Sequence, residues 1–283
     1  MKVMVFDVGG TEIKYSVMDE QMNRFDAGSV PTPQDTQEHF LDTICALYAP
    51  HKDELDGIAM ALPGFVDANT GYVSNGGALL YNTGTQVGQL VRERCGCRVT
   101  LENDGKAAAI AELRAGALPG CRNAAVFIIG TGVGGGIIID HKIYSGSNFA
   151  GAELGHTVIV VDGRPCTCGR LGCWETYASA TGLIKTTKEH MEKHPESLMW
   201  KLCDGDLNKV DGRTCFDAAA QGDQAGKDAA EEYTTQLAEV VVNAVHLLQP
   251  EIICLGGGVP KQGDNLLRPI RAHMDRSCIA RTA

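Results

Sequence analysis

One strand–turn–strand pattern occurs twice in this chain, and it constrains the fold more than any other feature. The first copy begins with the β-branched run Val3–Phe6, turns at Gly9–Thr11, and continues into a segment where apolar and polar residues alternate. The second copy begins near Ala124 and turns at Gly130–Gly136. Alternation with a period of two is typical of half-buried strands. The duplication predicts two α/β lobes, each beginning with strands joined by a glycine turn.

The length supports the same division, since 283 residues are enough for two domains that each bury a core. The start of the second copy places the boundary between Leu118 and Arg122. We therefore expect an N-terminal lobe of residues 1–118 and a C-terminal lobe of residues 119–283. The tail from Asn265 is predicted to be helical and is a candidate for packing back on the N-terminal lobe.

Composition excludes several classes of function. A net charge of −10 without a basic run argues against a nucleic-acid partner. No apolar run approaches the ~18 residues needed to span a bilayer. The apolar start is interrupted at Asp7, too early for a signal peptide. Eleven cysteines in an unsecreted chain indicate a reducing compartment, so the sequence predicts a cytoplasmic protein.

The rest of the chain alternates between predicted helices and strands. The segment 198–213 is polar and irregular, and Thr214 is a candidate cap for the short helix after it. Apolar periodicity and Gly/Pro boundaries predict the other elements. The predicted helices are 34–49, 87–94, 105–115, 177–193 and 226–249, and the predicted strands are 58–62, 99–101, 124–129, 137–139 and 252–255.

Three predicted strands open onto glycine turns, at Gly9–Thr11, Gly130–Gly136 and Gly256–Gly258. Glycine lets backbone N–H groups approach an anion closely, and a threonine hydroxyl adds a donor. A single such turn is more often only a tight hairpin, but three together favour a polyphosphate site. The 130–135 stretch also matches the dinucleotide motif G-x-G-x-x-G. That motif should open a helix, whereas here Ile137–Ile139 predicts a strand, so a dinucleotide site is rejected.

Two carboxylates lie where phosphate chemistry would need them. Asp7 precedes the first glycine turn and could reach Mg²⁺ on bound phosphates; the alternative is a turn-capping aspartate. Asp104 follows Asn103 at a predicted helix start, where a helix cap is an equal alternative. A carboxylate at that position could accept the proton of an attacking hydroxyl in phosphoryl transfer.

A second constellation combines one imidazole with three thiols at short spacing. Soft thiolates with one imidazole suit a closed, tetrahedral Zn²⁺ site, which typically folds a loop. The alternative is a coincidence of reduced core cysteines and an unrelated histidine. A metal-pinned loop would also hold Glu153 and Glu175 in fixed positions. The predicted zinc ligands are His156, Cys166, Cys168 and Cys173.

Taken in order over nearly the whole chain, these motifs resemble the ROK family of bacterial sugar kinases. The cysteine–histidine cluster together with the 130–156 stretch is the specific part of the resemblance. The motifs are Asp7-Val8-Gly9-Gly10-Thr11, Leu62-Pro63-Gly64, Glu102-Asn103-Asp104, the 130–136 turn, Gly151-Ala152-Glu153-Leu154-Gly155-His156, the three cysteines with Glu175, and Leu255-Gly256-Gly257-Gly258.

The resemblance implies an α/β, two-lobed, actin-like ATPase fold of the hexokinase/ribonuclease H type, with sugar and Mg·ATP in a cleft between lobes. It implies transfer of the γ-phosphoryl group of ATP to a sugar hydroxyl, usually the 6-OH of a hexose, N-acetylhexosamine or β-glucoside. A homodimer or homotetramer is implied as well. The alternative within the family is a sugar-sensing regulator without catalysis, which a helix-turn-helix before the Asp7 motif would mark.

The resemblance also assigns residues to roles. Asp104 is implied as the general base, and Asp7 as the carboxylate near Mg²⁺. One ring nitrogen of His156 would bind zinc, and the other would bind a sugar hydroxyl. The implied sugar-binding residues are Gly64, Asn103, Asp104, Glu153, His156 and Glu175. The implied nucleotide-binding residues are Asp7, Gly9, Gly10, Thr11, Thr131, Gly132, Gly134, Gly256 and Gly257.

The chain departs from the family pattern at three places. Glu12 stands where many relatives carry lysine, and Lys106 follows the base where small or amide residues are usual. The stretch Asn75–Asn82 lacks the tryptophan that relatives often place there.

Overall fold

The chain divides into two units in this computed structural model, which describes residues 1–279. Unit 1 comprises Met1–Ala108 and Ser145–Ala152, and unit 2 comprises Ala109–Tyr144 and Glu153–Ala283. The segment Ser145–Ala152 therefore belongs to unit 1, although its sequence neighbours belong to unit 2. The lobe boundary at residue 118 stays a prediction.

The strands of unit 1 are β1 (Lys2–Val8), β2 (Glu12–Asp19), β3 (Arg24–Pro31), β4 (Gly57–Leu62), β5 (Phe65–Asp67), β6 (Tyr72–Asn75) and β7 (Arg98–Asn103). Five of them form a sheet of order β3-β2-β1-β4-β7, and β5 and β6 form a separate hairpin. Strands β1 to β3 form an antiparallel meander, while β4 and β7 run parallel to β1. Its helices are α1 (Gln37–Tyr48), α2 (Val87–Cys95) and the start of α3 (Asp104–Ala115).

The core of unit 1 follows from the periodicity of these elements. On β1, Met4, Phe6 and Val8 alternate into the core, as a period-two pattern requires. Helix α1 begins where the Thr36 side chain accepts a hydrogen bond from the backbone N–H of His39, and it buries one apolar face. Burial of these apolar side chains is the main stabilising contribution to the unit.

Unit 2 repeats the plan with four strands, β8 (Ala124–Ile129), β9 (Val133–Ile139), β10 (Lys142–Ile143) and β11 (Ile252–Gly257). They form a sheet of order β10-β9-β8-β11, in which β11 is parallel to β8. Its further helices are α4 (Glu175–Ala178), α5 (Ala180–Lys193), α6 (Leu198–Leu202), α7 (Thr214–Ala220), α8 (Gln224–Leu248) and α9 (Asp264–Ser277). The predicted internal repeat is thus confirmed: each sheet joins an antiparallel meander to a parallel strand beside its first strand.

Several sequence-based expectations need correction. The glycines after position 132 do not form a turn, because β9 already begins at Val133. The segment expected to be irregular contains α6, and Ser179 interrupts the helix predicted over 177–193 by capping α5. Thr214 is the first residue of α7 rather than its cap. The C-terminal helix α9 buries Leu266 and Ile270 in the core of unit 2, against α8.

The helices described between residues 1 and 279 include none that combines the length and the apolar character of a membrane span.

Candidate active site

The carboxyl ends of the parallel strands of unit 1 bring the predicted acceptor residues together. Because β1, β4 and β7 run in the same direction, Asp7, Gly64 and Asp104 lie at the same edge of the sheet. This edge is where open α/β sheets usually bind ligands. We call these residues, together with Asn103, the acceptor group.

Asn103 holds Asp104 in place. Its Nδ2 donates to the carbonyl of Gly64 at 2.9 Å and to Oδ1 of Asp104 at 3.0 Å. Its Oδ1 accepts from the backbone N–H of Lys106 at 3.0 Å, as a helix cap does. Asn103 is buried, and all its polar side-chain atoms are engaged within unit 1. The helix-cap role considered for the Asn103–Asp104 pair is therefore filled by Asn103.

The carboxylate of Asp104 keeps one oxygen, Oδ2, available to accept a proton. Its Oδ1 accepts from Asn103 and from the N–H of Gly105 at 2.8 Å, whereas no hydrogen bond to Oδ2 is found among residues 1–279. The residue as a whole is exposed, whereas its carboxyl group is largely shielded by the surrounding protein. Burial of the carboxyl raises its pKa; the Gly105 N–H opposes this rise, and the negative charge of Asp7 adds to it. A raised pKa strengthens a carboxylate as a proton acceptor.

The Gly64 turn is fixed by close backbone packing. Gly64 has φ of +89°, a conformation that favours glycine, and a Cβ there would collide with the carbonyl of Asn75. The Asn75–Gly77 stretch thus lies directly against the turn that accepts the hydrogen bond from Asn103. The segment that lacks the family tryptophan is therefore part of the support of the acceptor group.

The first glycine turn is held through its carbonyl oxygens. Thr32 Oγ1 donates to the carbonyl of Gly9 at 2.8 Å, and Gln34 Nε2 donates to that of Gly10 at 2.7 Å. The N–H of Gly9 closes the turn onto the carbonyl of Glu12 at 2.9 Å. Since the carbonyls are occupied, the N–H groups of Gly10 and Thr11 are the donors that an anion could use.

The second turn is built in the same way. The N–H of Ala180 donates to the carbonyl of Gly130 at 2.8 Å, and Thr181 Oγ1 donates to that of Thr131 at 2.9 Å. The equivalent donors for an anion are therefore the N–H groups of Thr131 and Gly132. Gly134 lies inside β9 opposite Ile128, so the structure separates it from this turn.

Glu175 belongs to the second turn as well. Its Oε2 accepts from the N–H of Val133 at 2.9 Å, and a Cβ on Gly132 would lie 2.6 Å from the same oxygen. The third glycine motif reaches this end of the sheet too, because β11 is parallel to β8 and Gly257 pairs with Ile129.

The four predicted zinc ligands converge in unit 2. Their ligand atoms all lie within 4.8 Å of one another. The sulfurs of Cys168 and Cys173 are 3.6 Å apart, and Cys166 Sγ is 3.6 Å from Nδ1 of His156. A tetrahedral Zn²⁺ at ordinary bond lengths separates two sulfurs by about 3.8 Å and sulfur from nitrogen by about 3.6 Å. The donor set and its spacing therefore fit zinc, with Nδ1 as the nitrogen ligand.

The loop around this cluster is anchored to the core of unit 2. Trp174 is fully buried, donates from Nε1 to the carbonyl of Gln236 at 3.0 Å, and packs edge-on against Phe127. Arg164, which belongs to none of the sequence motifs, donates to Glu189 Oε2 at 2.6 Å and stacks on Tyr177. Because Trp174 lies between Cys173 and Glu175, its anchoring sets the position of both neighbours.

Lys106 is the functional-region residue whose role the sequence did not reveal. It is only 1% exposed, and its Nζ donates to the carbonyl of Phe149 at 2.6 Å. Phe149 has φ of +64°, so the ammonium contacts a turn in the left-handed region. The pKa of the nearby Glu102 carboxyl is raised by burial, and the charge of Lys106 offsets only part of this rise. This contact ties the segment Ser145–Ala152 to α3, which begins at Asp104.

Of the predicted site residues, the structure gathers the acceptor group, the two glycine turns and the zinc ligands within their own units. Glu153 stands at the N-cap position of the short 3₁₀ turn Leu154–His156 without a capping hydrogen bond from its side chain, and this turn packs on the start of β9 through Gly155. The sequence missed the supports of these groups, namely Thr32, Gln34, Ala180, Thr181, Arg164 and the buried Lys106.

Comparison with known proteins assigns a family. The model of the ROK family matches residues 3–281. Glucokinase from Halalkalibacterium halodurans is 34% identical over 98% of this chain and 86% of its own length. N-acetyl-D-glucosamine kinase from Vibrio atlanticus is 28% identical over 90% of this chain and 83% of its own length.

Among solved structures, a ROK family glucokinase from Streptomyces griseus, in complex with glucose and AMPPNP, superimposes with a TM-score of 0.82. It is 33% identical, with 99% of this chain and 90% of the other covered. The predicted actin-like ATPase fold class is thereby confirmed.

Proposed function

The chain belongs to the ROK family and is an ATP-dependent sugar kinase, and on that premise we propose that Asp104 is its general base. One observation carries the proposal: Asn103 holds Oδ1 of Asp104, while the described part of the chain shows no hydrogen bond to Oδ2. As the sugar hydroxyl attacks the γ-phosphorus of ATP, Oδ2 accepts its proton and ADP leaves. Proton acceptance of this kind contributes about 10²–10⁴-fold to a rate.

We assign triphosphate binding to the two glycine turns. In the first turn the N–H groups of Gly10 and Thr11 would donate hydrogen bonds to the phosphates. In the second turn those of Thr131 and Gly132 would do the same. Asp7 is the carboxylate that would hold Mg²⁺, since it is an exposed oxygen donor at the end of β1 beside the first turn. When bound, Mg²⁺ neutralises the negative charge on the phosphates.

Zinc has a structural role in this proposal. His156, Cys166, Cys168 and Cys173 would hold it and leave no open position for a water molecule. Zinc bound there cross-links the loop. With Nδ1 of His156 used for the metal, Nε2 remains to bind a hydroxyl of the sugar. Glu153 and Glu175 are proposed as further hydroxyl acceptors, which Glu153→Gln tests through the KM for sugar.

We propose glucose as the acceptor and its 6-OH as the reacting group, with N-acetylglucosamine as the second candidate. The support is the higher identity to a named glucokinase than to a named N-acetylglucosamine kinase. A coupled ADP-release assay over glucose, N-acetylglucosamine, N-acetylmannosamine, fructose, allose and cellobiose tests the choice. If at least one other sugar of the panel gave a higher kcat/KM than glucose, the proposal of glucose as the acceptor would be refuted.

A homodimer or homotetramer in the cytoplasm completes the proposal. Reduced cysteines are needed for a thiolate-bound metal, which supports a reducing compartment. The net charge of −10 supports the absence of a nucleic-acid partner. Size-exclusion chromatography with light scattering measures the oligomeric state, and a monomer would refute that part.

A further inference from the structure

Two cysteines far apart in the sequence meet on the surface of unit 1. Cys45 lies on α1 and Cys95 is the last residue of α2, and their sulfurs are 2.9 Å apart. This is closer than the 3.6 Å between the sulfurs of Cys168 and Cys173 in the zinc cluster. It is still longer than the about 2.0 Å of a disulfide bond. The two groups are therefore free thiols already in near-bonding contact.

The approach is maintained by interactions around the pair. Arg94, next to Cys95, donates to Asp42 on α1 at 2.6 Å and also pairs with Glu38. These ion pairs join the same two helices that carry the sulfurs. Both cysteines are half-buried, so a small thiol reagent can reach them. The contact thus belongs to a packed helix–helix interface rather than to two mobile side chains.

We propose that Cys45 and Cys95 are a reversible oxidation site that forms an intramolecular disulfide. The oxidant is a small-molecule disulfide such as glutathione disulfide. One protein thiolate attacks it, which forms a mixed disulfide and releases one glutathione thiolate. The second protein thiolate then attacks the protein sulfur of the mixed disulfide and releases the second glutathione. Two protein thiols are oxidised by two electrons, and one glutathione disulfide is reduced to two thiols.

The protonation of Cys95 affects the rate. Burial raises the pKa of the Cys95 thiol, the neighbouring Cys45 and Cys97 add to the rise, and the charge of Arg94 opposes it. Only a small fraction of Cys95 is then thiolate at neutral pH. The disulfide should therefore form slowly at pH 7 and faster as the pH rises toward the pKa of Cys95.

Cys97 is the competing thiol, since it lies two residues beyond Cys95. Burial raises the pKa of the Tyr48 hydroxyl to about 12, and its side-chain hydrogen bond with Cys97 adds to the rise. Cys97 is thus engaged with Tyr48, while Cys95 faces Cys45. This difference makes Cys97→Ser a matched control for Cys95→Ser.

The expected consequence is a more stable unit 1 in the oxidised protein. The bond would link positions separated by 50 residues in sequence and tie α1 to α2. Closing a loop of that length restricts the unfolded chain. The thermal unfolding midpoint should rise on oxidation and return on treatment with dithiothreitol.

The test equilibrates the zinc-loaded protein in glutathione buffers of increasing disulfide fraction, blocks free thiols with N-ethylmaleimide, and maps linked peptides by mass spectrometry. We expect a Cys45–Cys95 peptide from the wild type and from Cys97→Ser, but not from Cys45→Ser or Cys95→Ser. Kinase activity of Cys45→Ser should equal that of the wild type.

Three results would overturn the proposal. The first is that the wild type in pure glutathione disulfide gives no linked peptide. The second is that Cys45 is linked to Cys97 instead. The third is that the unfolding midpoint does not change although the Cys45–Cys95 peptide is linked. The first two need only the wild type, so a poorly folded variant leaves the proposal testable.

Discussion

Replacing Asp104 with asparagine separates catalysis from folding. Asparagine keeps Oδ1, which accepts from Gly105 and Asn103, and replaces only the open Oδ2. If Oδ2 is the proton acceptor, kcat should fall by about 10²–10⁴-fold. At 1.36 kcal/mol for each factor of ten, the barrier rises by about 2.7–5.4 kcal/mol.

The same substitution has a predicted effect of opposite sign on stability. Because burial and Asp7 raise the pKa of Asp104 in the folded state, its ionised form costs folding free energy at any pH above that raised value. The cost disappears below the pKa of the unfolded chain, where the carboxyl is protonated in both states. At pH 7 the neutral asparagine removes the cost, so the unfolding midpoint of Asp104→Asn should equal or exceed that of the wild type.

The assay combines three measurements on the same preparation. Coupled ADP release gives kcat, calorimetric titration gives the affinity for ATP, and thermal unfolding gives the midpoint. Asp53→Asn is the matched control, since Asp53 is an exposed carboxylate of the same unit outside the acceptor group. We expect a low kcat in Asp104→Asn only, and unchanged ATP affinity with no loss of stability in both variants. A kcat within a factor of three of the wild type would refute the assignment of the base.

Three further predictions test the other parts of the site. Cys168→Ser should release zinc and expose the 151–175 loop to proteases, because one of four ligands is lost. Metal analysis of the freshly purified variant measures the zinc content. A full zinc content would contradict the prediction. Asp7→Asn should lower the pKa of Asp104, since the substitution removes a negative charge that raises this pKa. A ¹³C NMR titration of the ligand-free protein measures the shift. An unchanged or higher pKa of Asp104 would contradict the prediction. Gly132→Ala should raise the KM for ATP and lower the unfolding free energy by about 1.5–3 kcal/mol, because the new Cβ would displace Glu175 from its hydrogen bond. ATP kinetics and urea unfolding measure these two effects. Wild-type values of both would contradict the prediction.

Matched controls exist for two of these variants. Cys254→Ser changes a half-buried thiol outside the zinc loop and should keep the full zinc content. Gly212→Ala adds a Cβ that meets only Leu183, at an ordinary contact distance of 3.7 Å, and should leave the KM for ATP unchanged.

The parts of the fold that carry strong local signals were predictable from the sequence. Strands β1, β2 and β8 combine β-branched residues with a glycine turn, and the zinc ligands have a diagnostic spacing. Strand β3 gives no such signal, because it is a sheet edge in which most residues are exposed. An edge strand with both faces toward solvent has no hydrophobic alternation to detect.

Glycine in a strand explains another error. A Cβ on Gly135 would collide with the carbonyl of Val126, so close approach of β9 to β8 requires glycine there. In sequence the same residues are indistinguishable from a turn. Tertiary proximity was equally hidden: nothing local in the sequence places Lys106 against Phe149, or Cys45 against Cys95.

Phosphorus NMR of the wild-type protein with Mg·ATP and glucose tests the central claim, sugar-dependent phosphoryl transfer, most directly. We expect a phosphate monoester resonance on the 6-position of glucose that grows in step with ADP and is absent without sugar. Conversion of ATP to ADP and inorganic phosphate, with no ester formed on glucose or any other sugar of the panel, would contradict it.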